Sequence, residues 1–221
     1  MRDLKELLRP MHGRCLCTEQ GMHDCYRLGI DVLQRGVSGS FVECGVAWGG
    51  MAGCFAKAMF TMGHFRTFHL FDSFCGIPVA GPRDDCQPGI GPKIEDDQAP
   101  LRDRLRPSGV GPAVSRKVVE NNLCDWFGKA VDWQFHEGWF QDTVAGSDTG
   151  PIALLHLDGD LYESTLVCLE GLYNRVSPGG VVVVDDYELT GCRAAVVDYF
   201  GVLPAGMKPF ADYGAMCWVK P

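Results

Sequence analysis

Residues 178–186 have the sequence Pro-Gly-Gly-Val-Val-Val-Val-Asp-Asp, in which four consecutive valines stand between a glycine pair and two acids. A short run that is apolar at every position predicts a strand buried on both faces, as in a parallel sheet covered by helices. The preceding Pro178-Gly179-Gly180 is typical of a turn that ends a helix. The segment therefore indicates an α/β protein and places Asp185 and Asp186 at the carboxyl end of a central strand.

A second strand of the same kind is predicted at residues 152–158, Ile-Ala-Leu-Leu-His-Leu-Asp, and it too ends in an acid. The carboxyl ends of parallel strands share one edge of a sheet, where ligands bind in such folds. Carboxylates that meet there repel each other unless a hard cation lies between them. Asp158, Asp185 and Asp186 are therefore candidate ligands of Mg²⁺; the alternative is a solvated acidic rim without metal.

The rest of the chain alternates between strand and helix patterns. Further strands are predicted at 41–44, 67–72 and 131–135, with helices at about 18–36, 51–59, 114–127, 161–176 and 193–200. Residues 207–213 and 215–220 resemble a hairpin that turns at Gly214. This order predicts a doubly wound α/β fold of the Rossmann-like kind, with a mostly parallel sheet and a C-terminal antiparallel hairpin.

We expect one domain over residues 1–221, since this length suffices for a full core. Residues 1–38 are expected to form an N-terminal helical lid segment. Residues 73–112 are rich in Pro, Gly and Asp and are expected to form a lid or acceptor loop. Asp160 with Glu163 predicts a capping box at the helix from 161, and Asp84-Asp85 is interpreted as solvated loop surface.

Composition excludes several classes of function. The net charge of −8 disfavours nucleic acid, which binds basic surfaces. The charged N-terminal residues do not resemble a signal peptide, and no apolar run is long enough to span a bilayer. The 11 cysteines are odd in number and mostly lie within apolar runs, as expected of reduced thiols. We therefore expect a cytoplasmic protein without membrane or nucleic-acid partners.

One group of soft ligands stands apart near the N-terminus, namely His12, Cys15, Cys17, His23 and Cys25. Its spacing matches no standard zinc arrangement. Whether this group binds a metal is left open by the sequence.

The turn after the first strand, Glu43-Cys44-Gly45-Val46-Ala47-Trp48-Gly49-Gly50, is a candidate cofactor site. Its glycines allow backbone N–H groups to approach a ligand closely, and Glu43, Gly45 and Gly49 are the candidate residues. The dinucleotide fingerprint G-x-G-x-x-G is absent, which favours an adenosyl ligand without a pyrophosphate. Asp72, at the end of the second strand, is placed to accept hydrogen bonds from ribose hydroxyls. The structural alternatives are a glycine turn that only packs and a turn-capping Asp72.

If the reacting group of the substrate is a hydroxyl, a general base is also needed to take its proton. Asp158 is the first candidate and His136, at a strand end, is the second. His69 and His156 lie within predicted strands and are interpreted as hydrogen-bonded core groups.

Together these segments resemble the macrocin/mycinamicin-type (TylF-like) O-methyltransferases. The matching segments are residues 41–50, 71–78, 138–143, 157–165 and 177–187, so that the resemblance covers roughly residues 18 to 200. It implies a class I methyltransferase fold and S-adenosylmethionine as cofactor. It also implies that Asp158, Asp185 and Asp186 hold the metal, that Asp158 is the base, and that Asp72 and Ser73 hold the ribose side of the cofactor. Gly138 and Trp139 would lie near the adenine.

The expected function is therefore a Mg²⁺-assisted, S-adenosylmethionine-dependent O-methyltransferase of natural-product biosynthesis. Its acceptor would be a hydroxyl of a sugar or of a glycosylated small molecule, and a homodimer is possible. Two alternatives stay open at this point. One is a phenol O-methyltransferase of the catechol type, and the other is a non-catalytic protein that binds an adenosyl ligand.

Overall fold

The computed structural model describes residues 3–84, 107–109, 111, 113–212 and 214–221. They form one seven-stranded sheet whose order is β3-β2-β1-β4-β5-β7-β6. The strands are β1 (Ser40–Cys44), β2 (Thr67–Asp72), β3 (Asp132–Glu137), β4 (Ile152–Leu157), β5 (Val176–Val184), β6 (Lys208–Phe210) and β7 (Ala215–Val219). Strands β1 to β5 are parallel, while β7 is antiparallel to both β5 and β6. The predicted doubly wound sheet with a C-terminal antiparallel hairpin is confirmed.

The helices lie between these strands as the alternating pattern predicts. They are α1 (Leu4–Leu8), α2 (Glu19–Gln34), α3 (Gly50–Met62), α4 (Arg116–Phe127), α5 (Phe140–Thr143), α6 (Tyr162–Leu172) and α7 (Thr190–Phe200). Short 3₁₀ turns follow α1 and α6. Helix α6 is shorter than expected, and residues 178–180 lie inside β5, where its pairing with β4 shifts register.

The four valines of β5 show why the sheet carries helices on both faces. Val181 and Val183 pack in the cluster that contains residues of α2, α3 and α4. Val182 and Val184 pack in the opposite cluster, with residues of α6 and α7. All four are at most 2% exposed. Because successive side chains of a strand point to opposite faces, this burial fixes β5 in the middle of the fold.

The start of α6 differs from the expected capping box. Its N-cap is Leu161, and the backbone N–H of Tyr162 donates instead to Oδ1 of Asp84 (2.7 Å). The other carboxylate oxygen of Asp84 accepts from the backbone N–H of Gly81 (2.9 Å), and Asp84 is 3% exposed. The predictions of a capping box and of a solvated Asp84 are both wrong. A carboxylate from the loop after β2 satisfies the helix terminus, which no local pattern reveals.

Thr18, where the pattern typical of a helix begins, is the N-cap of α2, since its hydroxyl accepts from the N–H of Gly21 (3.0 Å). Of the expected loop at 73–112, residues 85–106, 110 and 112 lie outside the described residues. Within the described part of the chain, no helix is both long and apolar enough to cross a membrane.

Candidate active site

Three carboxylates meet where β4 and β5 end, as the sequence predicts. The backbone N–H of Asp158 donates to the carbonyl of Cys44, and that of Asp185 to the carbonyl of Leu157 (2.8 Å each). These bonds extend the sheet pairing by one residue and hold the aspartates side by side. Asp158, Asp185 and Asp186 each offer one oxygen, and these oxygens lie within 4.8 Å of one another. The register of the strands therefore brings these three aspartates together, and we call Asp158, Asp185 and Asp186 the acid cluster.

Burial and mutual repulsion make this acid cluster costly to ionise. Burial, followed by the charge of Asp185, raises the pKa of Asp158 well above its usual range and the pKa of Asp186 to about 6. Burial and Asp186 raise the pKa of Asp160 to about 8, and its backbone N–H donates to Oδ2 of Asp186 (3.2 Å). A divalent cation would offset this repulsion, and oxygen ligands are those that Mg²⁺ prefers. The residues present therefore fit a hard divalent cation.

A buried histidine supports the acid cluster from behind. Nε2 of His156 lies 3.2 Å from Oδ1 of Asp185, and Nδ1 lies 3.2 Å from Oε1 of Glu43. The imidazole is fully buried. Burial alone would lower its pKa, but the hydrogen bonds to Asp185 and Glu43 raise the pKa to about 10. Both ring nitrogens then donate, and His156 fixes the orientation of the Asp185 carboxylate.

The sequence did predict a hydrogen-bonded core position for His156, but not its link to the acid cluster. The signal was present in the strands, because Glu43 of β1 is the register partner of His156 in β4. Two polar residues at matching positions in otherwise apolar strands indicate a buried pair. Pairing β1 with β4, however, requires the sheet order, which the sequence analysis did not predict.

The turn after β1 is held in shape by Asp72. One carboxylate oxygen of Asp72 accepts from the N–H groups of Val46 (2.7 Å) and Ala47 (3.3 Å), and the other from Phe74 (2.6 Å). Gly45 has φ +89°, and a Cβ there would overlap the backbone oxygen of Asp158. Because glycine has no side chain, the turn after β1 can lie in direct contact with the acid cluster.

One cavity of about 320 Å³ joins these groups. Its described lining includes the predicted Gly45, Asp72, Ser73, Gly138, Trp139, Asp158, Asp185 and Asp186. It also includes Leu16, Cys17, Ile77 and Pro78, from the two segments expected to form lids. Four further lining residues were not predicted from the sequence to face a ligand, namely Met51, Phe140, Gln141 and Asp160. Apolar residues from the N-terminal segment and from the loop after β2 thus line the same space as the acids.

Other predicted residues lie elsewhere. Glu43 is buried against His156, and Gly49 is the N-cap of α3, packed near Val119; neither lines the cavity. The structure therefore does not support either residue as a direct contact of a ligand in this cavity. His136 lines a different groove, so the structure does not support it as the second candidate for the base.

Comparison with known proteins identifies relatives of this arrangement. The 8-demethyl-8-(2,3-dimethoxy-alpha-L-rhamnosyl)-tetracenomycin-C 4'-O-methyltransferase of Streptomyces olivaceus is 40% identical over 174 residues, covering 77% of this chain and 61% of that protein. Mycinamicin III 3''-O-methyltransferase of Micromonospora griseorubida is 33% identical over 173 residues, covering 76% and 62%. The structure of the O-methyltransferase NovP superposes with a TM-score of 0.73 at 30% identity, covering 90% of this chain and 78% of that one.

The chain spans about three fifths of the length of the curated relatives it matches. The sequence model of the TylF macrocin-O-methyltransferase family matches residues 5–203. Every residue that lines the cavity falls within this range. Because the match runs through all the elements that build the site, this chain belongs to the TylF macrocin-O-methyltransferase family.

Proposed function

We propose that this protein is an S-adenosylmethionine-dependent, Mg²⁺-assisted O-methyltransferase whose acceptor is a hydroxyl of a sugar on a natural product. The observation that carries the proposal is one cavity shared by the acid cluster and the turn that Asp72 organises. Family membership supports the reaction. The names of relatives that methylate a rhamnosyl tetracenomycin and a mycinamicin support a sugar-bearing acceptor.

The cofactor would occupy the half of the cavity beside β1 and β2. Asp72 ends β2 and Ser73 follows it, and both would face the ribose, with Gly45 beside the methionine part. Gly138, with φ +142°, and Trp139 both line the cavity, and Trp139 would pack near the adenine. The sulfonium end of the cofactor would then point toward the acids, because Gly45 lies against the backbone of Asp158.

The acceptor would occupy the half of the cavity beside the acid cluster. Asp158, Asp185 and Asp186 would hold Mg²⁺, which when bound supplies a Lewis acid that orients the acceptor hydroxyl and makes it more acidic. Asp158 takes the hydroxyl proton as the oxygen attacks the methyl group and the cofactor's sulfur leaves. Good alignment of oxygen and methyl can supply about 7–11 kcal/mol of the barrier reduction.

Enclosure of the acceptor would come from the two lid segments. Leu16 and Cys17 of the N-terminal segment line the cavity together with Ile77 and Pro78 of the loop after β2. We propose that residues 3–38 and the described start of the loop after β2, residues 73–84, close over the acceptor and exclude water during transfer.

A methylation assay tests this function. The purified protein is given S-adenosylmethionine with a panel of sugar-bearing acceptors and a panel of catechols, each with Mg²⁺ and with a chelator. We expect methylation of a sugar hydroxyl that the chelator suppresses and added Mg²⁺ restores. Turnover of catechols alone would favour the phenol alternative, and cofactor binding without transfer would favour the non-catalytic one. Full activity in chelator would remove the metal from the proposal.

A further inference from the structure

A cluster of five sulfur atoms, which we call the sulfur cluster, lies beside the cavity. Cys15 and Cys17 come from the segment before α2, Cys25 from α2, and Met51 and Cys54 from α3. Sγ of Cys17 lies 3.2 Å from Sδ of Met51, and Sγ of Cys25 lies 4.0 Å from the same atom. The thiols of Cys17 and Cys54 act most strongly on the pKa of Cys15, which is raised above its usual range, so Cys15 lies near both. Three separate parts of the chain therefore bring their sulfurs to one place.

The backbone is shaped to admit these sulfurs. A Cβ at Gly50 would lie 2.5 Å from Sγ of Cys15, so the glycine at the start of α3 leaves the space that this thiol occupies. Cys25 is fully buried, while Cys15 and Cys17 are half-buried. Cys17 and Met51 both line the cavity. A small ion that enters the cavity can therefore reach the sulfur cluster without unfolding of the chain.

The thiols carry protons in the absence of an ion. Burial, with the negative charges of Asp185 and neighbouring thiols behind it, raises the pKa of Cys25 well above its usual range. A cation that binds as a thiolate complex must displace these protons, and each bound thiolate releases one. Its positive charge would then replace the protons in a region that already contains Glu43 and Asp185.

The kind of ligand atoms decides the kind of cation. Thiolate and thioether sulfurs are soft donors, which select copper(I), whereas the oxygens of the acid cluster select Mg²⁺. Zinc prefers four ligands from Cys and His in a tetrahedron. Among the described residues, no three His, Cys, Asp or Glu side chains other than the acid cluster meet within 4.8 Å. The thioether of Met51 stands between Cys17 and Cys25, which favours the softer ion.

We propose that Cys17, Cys25 and Met51 form a binding site for copper(I), with Cys15 as a further thiolate beside Cys17. The site is separate from the acid cluster and uses none of its residues. Bound copper(I) would tie the segment before α2 to α3 at the wall of the cavity. Of the N-terminal group of His and Cys residues in the sequence, it uses the cysteines and not the histidines.

An anaerobic competition titration tests the site. Reduced protein is added to copper(I) held by a chromogenic chelator, and the absorbance of the copper–chelator complex is followed. We expect the wild-type protein to withdraw one equivalent of copper(I). Cys17→Ser and Met51→Leu should each weaken binding by about tenfold or more, since each removes a direct ligand. Added Zn²⁺ should not displace the copper.

Matched controls separate this site from the other sulfurs of the chain. Cys124→Ser removes an exposed thiol of α4, and Met62→Leu removes a thioether at the end of α3; both should bind as the wild type does. Met51→Leu conserves volume, so it carries the test if Cys17→Ser fails to fold. The proposal is overturned if the wild type leaves the chelator loaded, if Zn²⁺ displaces the copper, or if the control variants lose as much affinity as the ligand variants.

Discussion

Asp158 is the residue on which the proposed methyl transfer depends most. Its side chain belongs to the acid cluster and lines the cavity. Asp158→Asn keeps the size of the side chain but removes its ability to accept a proton, so kcat should fall by about 10² or more. Single-turnover methyl transfer measures this, and calorimetry should show nearly unchanged affinity for S-adenosylmethionine. Asp142→Asn, on the exposed face of α5, is the control. A near-normal rate in Asp158→Asn would assign the base elsewhere.

His156 should act on metal affinity and not on the cofactor, because it contacts Asp185 and lies outside the cavity wall. His156→Gln can keep a donor toward Asp185, whereas His156→Asn is too short to reach it. We expect His156→Asn to weaken Mg²⁺ binding by about 10–100-fold and His156→Gln to weaken it less. Calorimetry with Mg²⁺ alone measures the difference. If His156→Asn and His156→Gln bind Mg²⁺ with the same affinity, a donor from position 156 does not orient the carboxylate of Asp185.

Single residues differ in how far the sequence reveals them. Asp158, Asp185 and Asp186 were predictable because each directly follows an apolar strand, and parallel strands end at the same edge. Their proximity is confirmed, while their role in binding Mg²⁺ stays a proposal. The burial of Asp84 was not predictable, since its partners at α6 are distant in sequence. Local patterns do not report such long-range hydrogen bonds.

At the scale of elements, the turn between β1 and α3 has the most stringent geometry. Gly45 and Gly63 both have positive φ, but a Cβ at Gly45 would overlap Asp158, whereas nothing lies within 4 Å of one at Gly63. Gly63→Ala should therefore cost only about 1 kcal/mol of strain. Gly45→Ala should cost clearly more and should weaken cofactor binding, because the turn must move away from the acid cluster. Denaturant unfolding and calorimetry compare the two. Similar losses in both variants would show that the close approach is unimportant.

The hydrophobic pattern predicts correctly whether a segment is a helix or a strand, but it does not predict where each element begins and ends. The apolar valines of β5 predicted a buried strand correctly, while the glycines before them were interpreted as a turn and are strand residues. Glycine permits a turn but does not require one, and pairing with β4 keeps this stretch extended. The cap of α2 by Thr18 was predictable because both partners are local in sequence.

At the scale of the whole molecule, the sequence predicted the fold class and the hairpin but not the strand order. Order depends on which strands pair across long connections. Strand β1 ends at Cys44 and pairs with β2, but it also pairs with β4, which begins only at Ile152. The acceptor is likewise not encoded in any single motif. Residues of the N-terminal segment and of the loop after β2 line the cavity, and we propose that the shape they give it selects the acceptor.

The stability of the whole molecule should depend on pH through His69. Nδ1 of His69 lies 3.0 Å from Nε2 of His136, so one ring donates and the other must accept. Burial, and then His136, lower the pKa of His69 from its ordinary 6.5 to about 4. Between these values the unfolded state binds more protons than the folded state. The free energy of unfolding therefore falls as the pH is lowered from 6.5 toward 4, and the contribution is complete above 6.5.

The variant His69→Asn isolates this contribution, because an amide near the position of Nδ1 can still bond to His136 but does not titrate. Denaturant unfolding of both proteins at about pH 7 and at about pH 4.5 gives the loss of stability on acidification. The wild type should lose more than His69→Asn, while His64→Asn, at an exposed position after α3, should lose as much as the wild type. Equal losses in wild type and His69→Asn would show that His69 does not gain a proton on unfolding in this range. The loss of stability on acidification would then have to come from other groups, because proton uptake by His69 is the only effect expected to distinguish the two proteins.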